Sequence, residues 1–232
     1  PIMSKGDNVY SFGSNAYGKP AIEFANPIAV KQLNAALLKQ HYNITDWDIP
    51  EGALCPPIPG RVDYIHYVAE LLGVSEPDSQ ATAHAQNIKL LDIGIGANGI
   101  YSLLACQVYG WQCVGSDINA RSLENVAAII DRNPHLKGCL TLRMQPGQNQ
   151  MFEGIIQTGE FFDVSVCNPP FHASQEEATK GSQLKLKNLA RNRGEKGVQK
   201  SSPVLNFGGL EAERWCKGGE RLFLKKMIKE TI

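Results

Sequence analysis

The sequence predicts an α/β protein built on a parallel sheet, and three stretches support this. An apolar run, residues 88–93, is followed by a glycine-rich turn and a helical pattern. A second apolar run ends at Asp117, which lies 18 residues beyond Gly99 (117 − 99). A third run, residues 164–166, stops at Asn168-Pro169-Pro170, because proline has no amide donor and a fixed φ. Short strands that alternate with helices predict a parallel sheet whose strand ends share one edge.

The other elements follow from periodicity and from breaking residues. Asn26-Pro27 predicts a helix start, and the apolar stripe that follows runs to about His41. The proline-rich segment Cys55–Arg61 predicts an extended chain, and a helix with apolar residues at three- and four-residue steps follows from Val62. We expect residues 1–74 to form an N-terminal arm and helical extension, and residues 75–232 to form the α/β domain. Further strands are expected at 112–116 and 139–144, and further helices at about 100–109, 116–132, 150–157 (weak), 210–216 and 220–230.

Composition limits the class of protein more than its function. The 232 residues carry 23 Lys+Arg and 23 Asp+Glu, so the chain as a whole does not attract nucleic acid. No apolar run approaches the ~18 residues of a membrane span, and the start has no signal-peptide pattern. The six cysteines have no metal-ligand spacing. We therefore expect reduced thiols, no metal site and a cytoplasmic location.

The glycine turn predicts a nucleotide-type cofactor. Gly94, Gly96 and Gly99 match G-x-G-x-x-G between a strand and a helix, and Asp117 stands at the distance expected for an acid that binds ribose hydroxyls. A dinucleotide would place its pyrophosphate on this turn. Asp92, two residues before the first glycine, would repel a diphosphate and suits a cofactor that carries an ammonium and a sulfonium. Both cofactors stay open from the turn alone, as does simple close packing of the glycines.

The Asn168 turn suits recognition of a planar amine. A residue before proline is held extended, so Asn168 sits at a strand end, with Phe171 just beyond it. The side-chain oxygen of Asn168 and the carbonyl of Pro169 can each accept one hydrogen of an NH₂ group, and Phe171 can stack on the attached ring. The alternative is a strand-ending turn with a buried Phe.

A basic stretch follows that turn. Residues 180–200 contain seven basic side chains and one acid, Glu195. A positive loop beside a base-sized pocket favours contact with a phosphate backbone, and a solvated linker is the alternative. The candidate RNA-binding residues are Lys180, Lys185, Lys187, Arg191 and Arg193.

Several motifs together resemble one family. They are Pro57–Arg61 followed by Asp63–His66, Asp92–Gly99, Asn168–Phe171, Asn206–Gly209 and Glu211–Glu220. This set resembles the bacterial ribosomal RNA large-subunit adenine-N(6) methyltransferase F family, related to the eukaryotic methyltransferase that modifies a spliceosomal small nuclear RNA. The resemblance implies a Rossmann-like S-adenosylmethionine-dependent methyltransferase fold of seven strands. Only four are counted here, so we expect the last three strands to be lacking.

The resemblance also implies roles. The donor would be S-adenosyl-L-methionine, leaving S-adenosyl-L-homocysteine, and the acceptor would be N(6) of one adenine in 23S ribosomal RNA. A full-length protein of this kind is expected to be a monomer. Open alternatives are a protein-glutamine methyltransferase, a nicotinamide-dinucleotide enzyme and a non-enzymatic RNA-binding module. The predicted cofactor-binding residues are Arg61, Asp92, Gly94, Gly96, Asn98, Asp117, Gln145 and Asn168; the predicted catalytic residues are Asn168, Pro169, Pro170 and Phe171.

Overall fold

A four-stranded parallel sheet forms the centre of the computed structural model, which describes residues 22, 26–74, 87–170, 172–174, 176 and 215–231. The strands are β1 (Lys89–Ile93), β2 (Gln112–Asp117), β3 (Leu140–Met144) and β4 (Val164–Cys167). The helices are α1 (Pro27–Tyr42), α2 (Ile58–Leu71), α3 (Ile100–Tyr109), α4 (Ala120–Arg132) and α5 (Gly219–Glu230), with a 3-10 turn at Pro134–Leu136. The predicted α/β class with a parallel sheet is confirmed.

The strand order β3-β2-β1-β4 brings the predicted strand ends to one edge. Ile93 of β1 pairs with Ser116 on one side and with Cys167 on the other. The residues that follow these three positions, Gly94, Asp117 and Asn168, therefore emerge side by side. Within the described residues β4 pairs with β1 alone, so its outer edge carries no strand there.

The two faces of the sheet are covered differently. Helices α1 to α4 lie over the larger core, where Leu90, Leu103 and the fully buried Trp111 pack together. On the opposite face, α5 and a turn that contains Met151 and Phe152 cover a smaller cluster. Burial on both faces explains why β1 is buried from Leu90 to Ile93 without alternation.

The N-terminal extension shares the larger core with the sheet, and a buried amide anchors it. Asn133 accepts hydrogen bonds at Oδ1 from the backbone N–H of Thr45 (2.8 Å) and of Asp46 (3.3 Å) and from the Thr45 hydroxyl (3.1 Å). Its Nδ2 donates to the carbonyls of Asp46 (2.7 Å) and Ile129 (2.8 Å). One side chain thus ties the segment after α1 to the end of α4. The division at residues 74/75 stays a prediction about chain organisation.

Two helix starts differ from expectation. Helix α2 begins at Ile58, inside the segment predicted to be extended, because a proline in the first turn loses no intrahelical bond and has the helical φ already set. Helix α4 begins at Ala120 rather than near Ser116. Asp117 ends β2, and the Asn119 side chain accepts from the Arg121 N–H (3.0 Å) to cap the helix.

The weak helix predicted at 150–157 is wrong. Met151, Phe152 and Ile155 are buried and Ile156 is exposed, but the backbone forms turns. Glu230 of α5 accepts from the amides of Met151 and Phe152 (2.8 Å each), and Gly154 adopts φ +76°. Of the predicted helix at 210–216, only Trp215 and Cys216 are described, and neither is helical. No described helix has the length and apolarity needed to cross a membrane.

Candidate active site

A cleft opens where the strands end, and it collects the predicted site residues. Its walls include side chains from three strand ends, the glycine turn, α2 and α5. The predicted residues that line it are Arg61, Asp92, Gly94, Gly96, Asn98, Asp117, Gln145, Asn168 and Pro170. Pro169 lies between two of them in sequence but is not part of the lining, so the contact of its carbonyl with a substrate stays a prediction. Phe171 and the basic candidates Lys180, Lys185, Lys187, Arg191 and Arg193 lie outside the described residues, as does Asn206–Gly209.

The backbone amides of the glycine turn are used inside the protein. The N–H groups of Gly94 and Ile95 both donate to the Ser116 carbonyl (2.9 Å each), and the Gly96 N–H donates to Oδ2 of Asp117 (2.8 Å). A pyrophosphate-binding turn needs such amides free for the ligand. The amides of these three residues are therefore not free for a pyrophosphate.

The third glycine has a packing role. Gly99 has φ +61°, and a Cβ added there would lie 3.1 Å from Cγ1 of Val126 and 3.3 Å from Cδ1 of Leu103. A side chain at this position would push α4 away from the turn. Close packing, which was the alternative explanation for the glycines, thus accounts for Gly99, whereas Gly94 and Gly96 line the cleft.

Asp117 is held in place by two backbone donors. Besides Gly96, the Asn119 N–H donates to Oδ1 of Asp117 (2.8 Å). Burial raises the pKa of this carboxyl, and the hydrogen bonds from Asn119 and Gly96 partly offset that effect. Each carboxylate oxygen can accept a further hydrogen bond, so Asp117 keeps capacity for ligand hydroxyls. Its position at the end of β2 fits the predicted contact with a ribose.

Asp92 is buried at the floor of the cleft. It accepts at Oδ2 from the Ser102 hydroxyl (2.9 Å). Burial raises the pKa of Asp92 to about 7, against the lowering effect of the Ser102 hydrogen bonds. Desolvation makes the charged form costly, and a cation bound in the cleft would favour it again.

Arg61 supplies the opposite charge. Its guanidinium donates to the Tyr101 hydroxyl and lies over the Tyr101 ring, 5.2 Å from the centroid. The Nε atom of Arg61 is buried without a hydrogen-bond partner in the described part of the chain. A buried donor without a partner costs free energy unless a ligand satisfies it. Arg61 and Asp92 together make the cleft complementary to a zwitterion, such as the ammonium and carboxylate of an amino acid.

Asn98 and Gln145 line the cleft with side chains that already have partners. Asn98 accepts at Oδ1 from the Ile100 N–H (3.0 Å), and its Nδ2 donates to the Leu54 carbonyl (3.3 Å). Gln145 donates from Nε2 to the Gly147 carbonyl (2.9 Å). Asn98 therefore ties the N-terminal segment to the glycine turn. A direct bond from either side chain to a cofactor stays a prediction.

Asn168, at the end of β4, lines the same cleft as the glycine turn. Its side chain makes no hydrogen bond within the described part of the chain. Since Asp92, Gly94 and Asn168 line one cleft, the two sequence-distant motifs face a common space.

Sequence reasoning did not single out one wall of the cleft. Trp215, Cys216 and Phe223 line it beside Asn168 and Pro170. Trp215 reaches this place because it forms a parallel bridge with His172, and the Cys216 N–H donates to the His172 carbonyl (3.1 Å). A tryptophan in a polar stretch was the available signal.

The parallel sheet and the cleft at its carboxyl edge define a Rossmann-like α/β protein whose site fits a cofactor with an amino-acid group. Residues 7–232 match the family described as RNA methyltransferase. The chain belongs to this family.

Relatives and solved structures agree with that assignment. The Ribosomal RNA large subunit methyltransferase F of Saccharophagus degradans is 61% identical over 221 residues, which cover 94% of this chain and 69% of the relative. The protein of that name from Shewanella baltica (strain OS155) is 57% identical over 215 residues, covering 93% and 57%. The chain thus spans between 57% and 69% of the length of these two curated relatives. The hMettl16 catalytic domain, solved in complex with the MAT2A 3'UTR hairpin 1, superimposes with a TM-score of 0.71 at 26% identity, covering 94% of this chain and 67% of that chain.

Proposed function

We propose that this chain carries the site of an S-adenosylmethionine-dependent methyltransferase that modifies N(6) of an adenine in large-subunit ribosomal RNA. The observation that carries the proposal is the shared cleft of Asp92, Gly94 and Asn168. The names of the bacterial relatives and the RNA hairpin bound by hMettl16 support RNA as the acceptor. A cytoplasmic location belongs to the proposal, and the six free cysteines fit a reducing compartment.

The residues present fit the cofactor. Arg61 and Asp92 would hold the carboxylate and ammonium of its methionine part, because the two charges line the same cleft and Nε of Arg61 lacks a partner among the described residues. Asp117 would accept from its ribose hydroxyls. When bound, the cofactor supplies an electrophilic methyl group on a sulfonium.

The chain's own contribution at the acceptor is to position the amine. The side-chain oxygen of Asn168 and the carbonyl of Pro169 each accept one amino hydrogen, which turns the nitrogen lone pair toward the cofactor side of the cleft. Phe171 stacks on the ring, and the target nucleotide leaves its own stack to reach the site. Neither acceptor group takes up the proton, which passes to solvent. Positioning of this kind can supply up to about 7–11 kcal/mol of the barrier.

The test is methyl transfer from labelled S-adenosylmethionine to large-subunit ribosomal RNA from cells that lack the enzyme. The Saccharophagus degradans relative is the positive control, and peptides that contain glutamine are the competing acceptor. We expect label in RNA, released as N(6)-methyladenosine after digestion. Label in the peptides instead would make the chain a glutamine methyltransferase. RNA binding without any S-adenosylmethionine binding by calorimetry would make it a non-enzymatic module, and either result overturns the proposal.

A further inference from the structure

A row of exposed cations follows one side of helix α5. Three of its members stand at four-residue steps within the helix, and each step advances about 6 Å along a helix and turns only slightly around it. The side chains of these three thus line up on one side over roughly 12 Å. The row consists of Lys217, which directly precedes the helix cap Gly218, and Arg221, Lys225 and Lys229.

Within the described part of the chain, these four cations have neither an ion-pair partner nor a side-chain hydrogen bond. Lys226, which lies beside the row on the same helix, differs because it donates to Asn149. Glu220 is the only exposed acid on α5, since Glu230 is engaged by the amides of Met151 and Phe152. The row is therefore a strip of positive charge on a chain whose formal net charge is zero.

The helix holds this strip in a fixed direction. Phe223 and Met227 pack into the smaller core with Leu91 and Ile93, which orients the opposite side of α5 toward solvent. Phe223 also lines the cleft, as do Trp215 and Cys216, which precede Lys217 directly. The row therefore begins at the wall of the cleft and leads away from it.

The row does not help the protein fold. Like charges four residues apart on a helix repel each other, and Arg221 lies in the first turn, where the helix dipole disfavours a cation. Each effect is on the order of a few tenths of a kcal/mol, and the row combines several. An extended polyanion bound along the row would attract these cations and offset the repulsion between them.

We propose that Lys217, Arg221, Lys225 and Lys229 bind the phosphate backbone of the RNA strand on one side of the nucleotide in the cleft. The inference rests on the proposed function and extends it, because it gives the substrate a path over the surface. A strand is the fitting occupant because the charges are spaced along a line that starts at the cleft. Contacts of this kind position the substrate and carry no base specificity.

The experiment compares two double variants. Lys225→Gln/Lys229→Gln removes two charges from the far end of the row, away from the cleft lining. Lys89→Gln/Lys137→Gln removes two exposed cations at the amino ends of β1 and β3, on the opposite edge of the sheet. Binding of a large-subunit ribosomal RNA fragment is measured against salt concentration for both and for the wild type. Thermal unfolding and S-adenosylmethionine binding check that each variant is folded.

We expect the row variant to bind RNA about 3- to 10-fold more weakly at physiological salt and to lower the salt slope by about 1.4, at about 0.7 per phosphate contact on a single strand. The control variant should keep the wild-type slope. Wild-type binding by the row variant, or an equal loss in the control, overturns the proposal. If the wild type binds RNA without methylating it, the proposed function fails while the binding comparison still decides the role of the row. If the wild type methylates RNA and the row variant binds RNA as tightly as the wild type, only the RNA-binding role of the row is rejected.

Discussion

The two sides of the cleft differ in how their polar groups are satisfied. On the cofactor side, the side chains of Asp92, Asn98, Asp117 and Gln145 each have a hydrogen-bond partner already. Nε of Arg61 is the exception on that side, since it has no partner among the described residues. On the acceptor side, which comprises Asn168, Pro170, Trp215 and Phe223, Asn168 and the Trp215 indole N–H have none among the described residues. Apart from Nε of Arg61, the described cofactor side is thus formed in advance, whereas Asn168 and Trp215 have hydrogen-bonding capacity left for a substrate.

This contrast predicts that Asn168 acts on transfer alone. In Asn168→Ala the amine loses one of its two acceptors, while nothing that holds the cofactor side changes. We expect kcat to fall by about 100- to 1000-fold, similar to the loss of one preorganised hydrogen-bonding group at a reacting centre. The affinity for S-adenosylmethionine, measured by calorimetry, should stay within about twofold.

Asn168→Gln is the matched variant, because it keeps the amide and displaces it by one methylene. It should be nearly as defective as Asn168→Ala if position is what matters. Transfer at the wild-type rate by either variant would show that the amide does not hold the amine, and the contrast between the two sides of the cleft would then have no catalytic meaning.

The Asn133 side chain, which anchors the N-terminal segment, predicts the next largest effect, a loss of stability. The side chain of Asn133 is fully buried and makes five hydrogen bonds, four of them to Thr45 and Asp46. Asn133→Ala leaves buried backbone groups without partners, so we expect the free energy of unfolding to fall by about 2–4 kcal/mol. Chemical denaturation measures the loss. Cofactor affinity should also weaken, because Leu54 and Pro56, in the segment that Asn133 anchors, line the cleft.

A surface asparagine provides the control for that change. Asn149→Ala removes an exposed side chain whose hydrogen bond is to Lys226, and it should alter stability by less than about 0.5 kcal/mol. Similar losses in both variants would mean that the N-terminal segment is held by its apolar contacts rather than by the amide.

The pKa of Asp92 predicts a pH dependence of the cofactor side. Because the folded pKa, about 7, lies above the ordinary value of 3.8, the native state binds the proton more tightly than the unfolded chain. The stability that this provides is complete below the unfolded pKa and is lost as pH rises through about 7. A ligand ammonium prefers the carboxylate, so affinity should rise by up to about tenfold per pH unit below the pKa and level off above it.

Asp92→Asn separates this effect from other titrations. The amide oxygen can still accept from Ser102, but the proton equilibrium is gone. We expect the variant to bind S-adenosylmethionine with weak affinity that varies little between pH 5.5 and 8.5, and to be more stable than the wild type at pH 8.5. A wild-type pH profile retained in Asp92→Asn would assign the titration to another group, with Asp117 as the first candidate because burial also raises its pKa.

Features of the site that depend on local sequence could be predicted, whereas those that depend on contacts with distant residues could not. The strand, glycine turn and helix at Lys89–Tyr109 are local features, and parallel register then places Asn168 beside Gly94 without further information. Asn98 could not be understood locally, because its partner Leu54 is 44 residues away. Residues 150–157 have a helical pattern of apolar residues but do not form a helix. Glu230, which is 77 or more residues away in sequence, accepts hydrogen bonds from three of their backbone amides.

Trp215 is the clearest case of a residue whose role depends on tertiary structure, and it gives the smallest predicted effect. Trp47 and Trp111 are buried outside the cleft lining, whereas Trp215 lines the cleft. Trp215→Phe keeps an aromatic wall and removes the indole N–H, so we expect the KM for RNA to rise by about 3- to 10-fold, in the range of one hydrogen bond, with kcat nearly unchanged.

In the wild type, addition of adenosine or S-adenosylhomocysteine should change the tryptophan emission, and Trp215→Phe should abolish that change. Emission that responds equally in the variant would place the responding indole at Trp47 or Trp111, and Trp215 would then be a packing residue of α5 rather than part of the acceptor side.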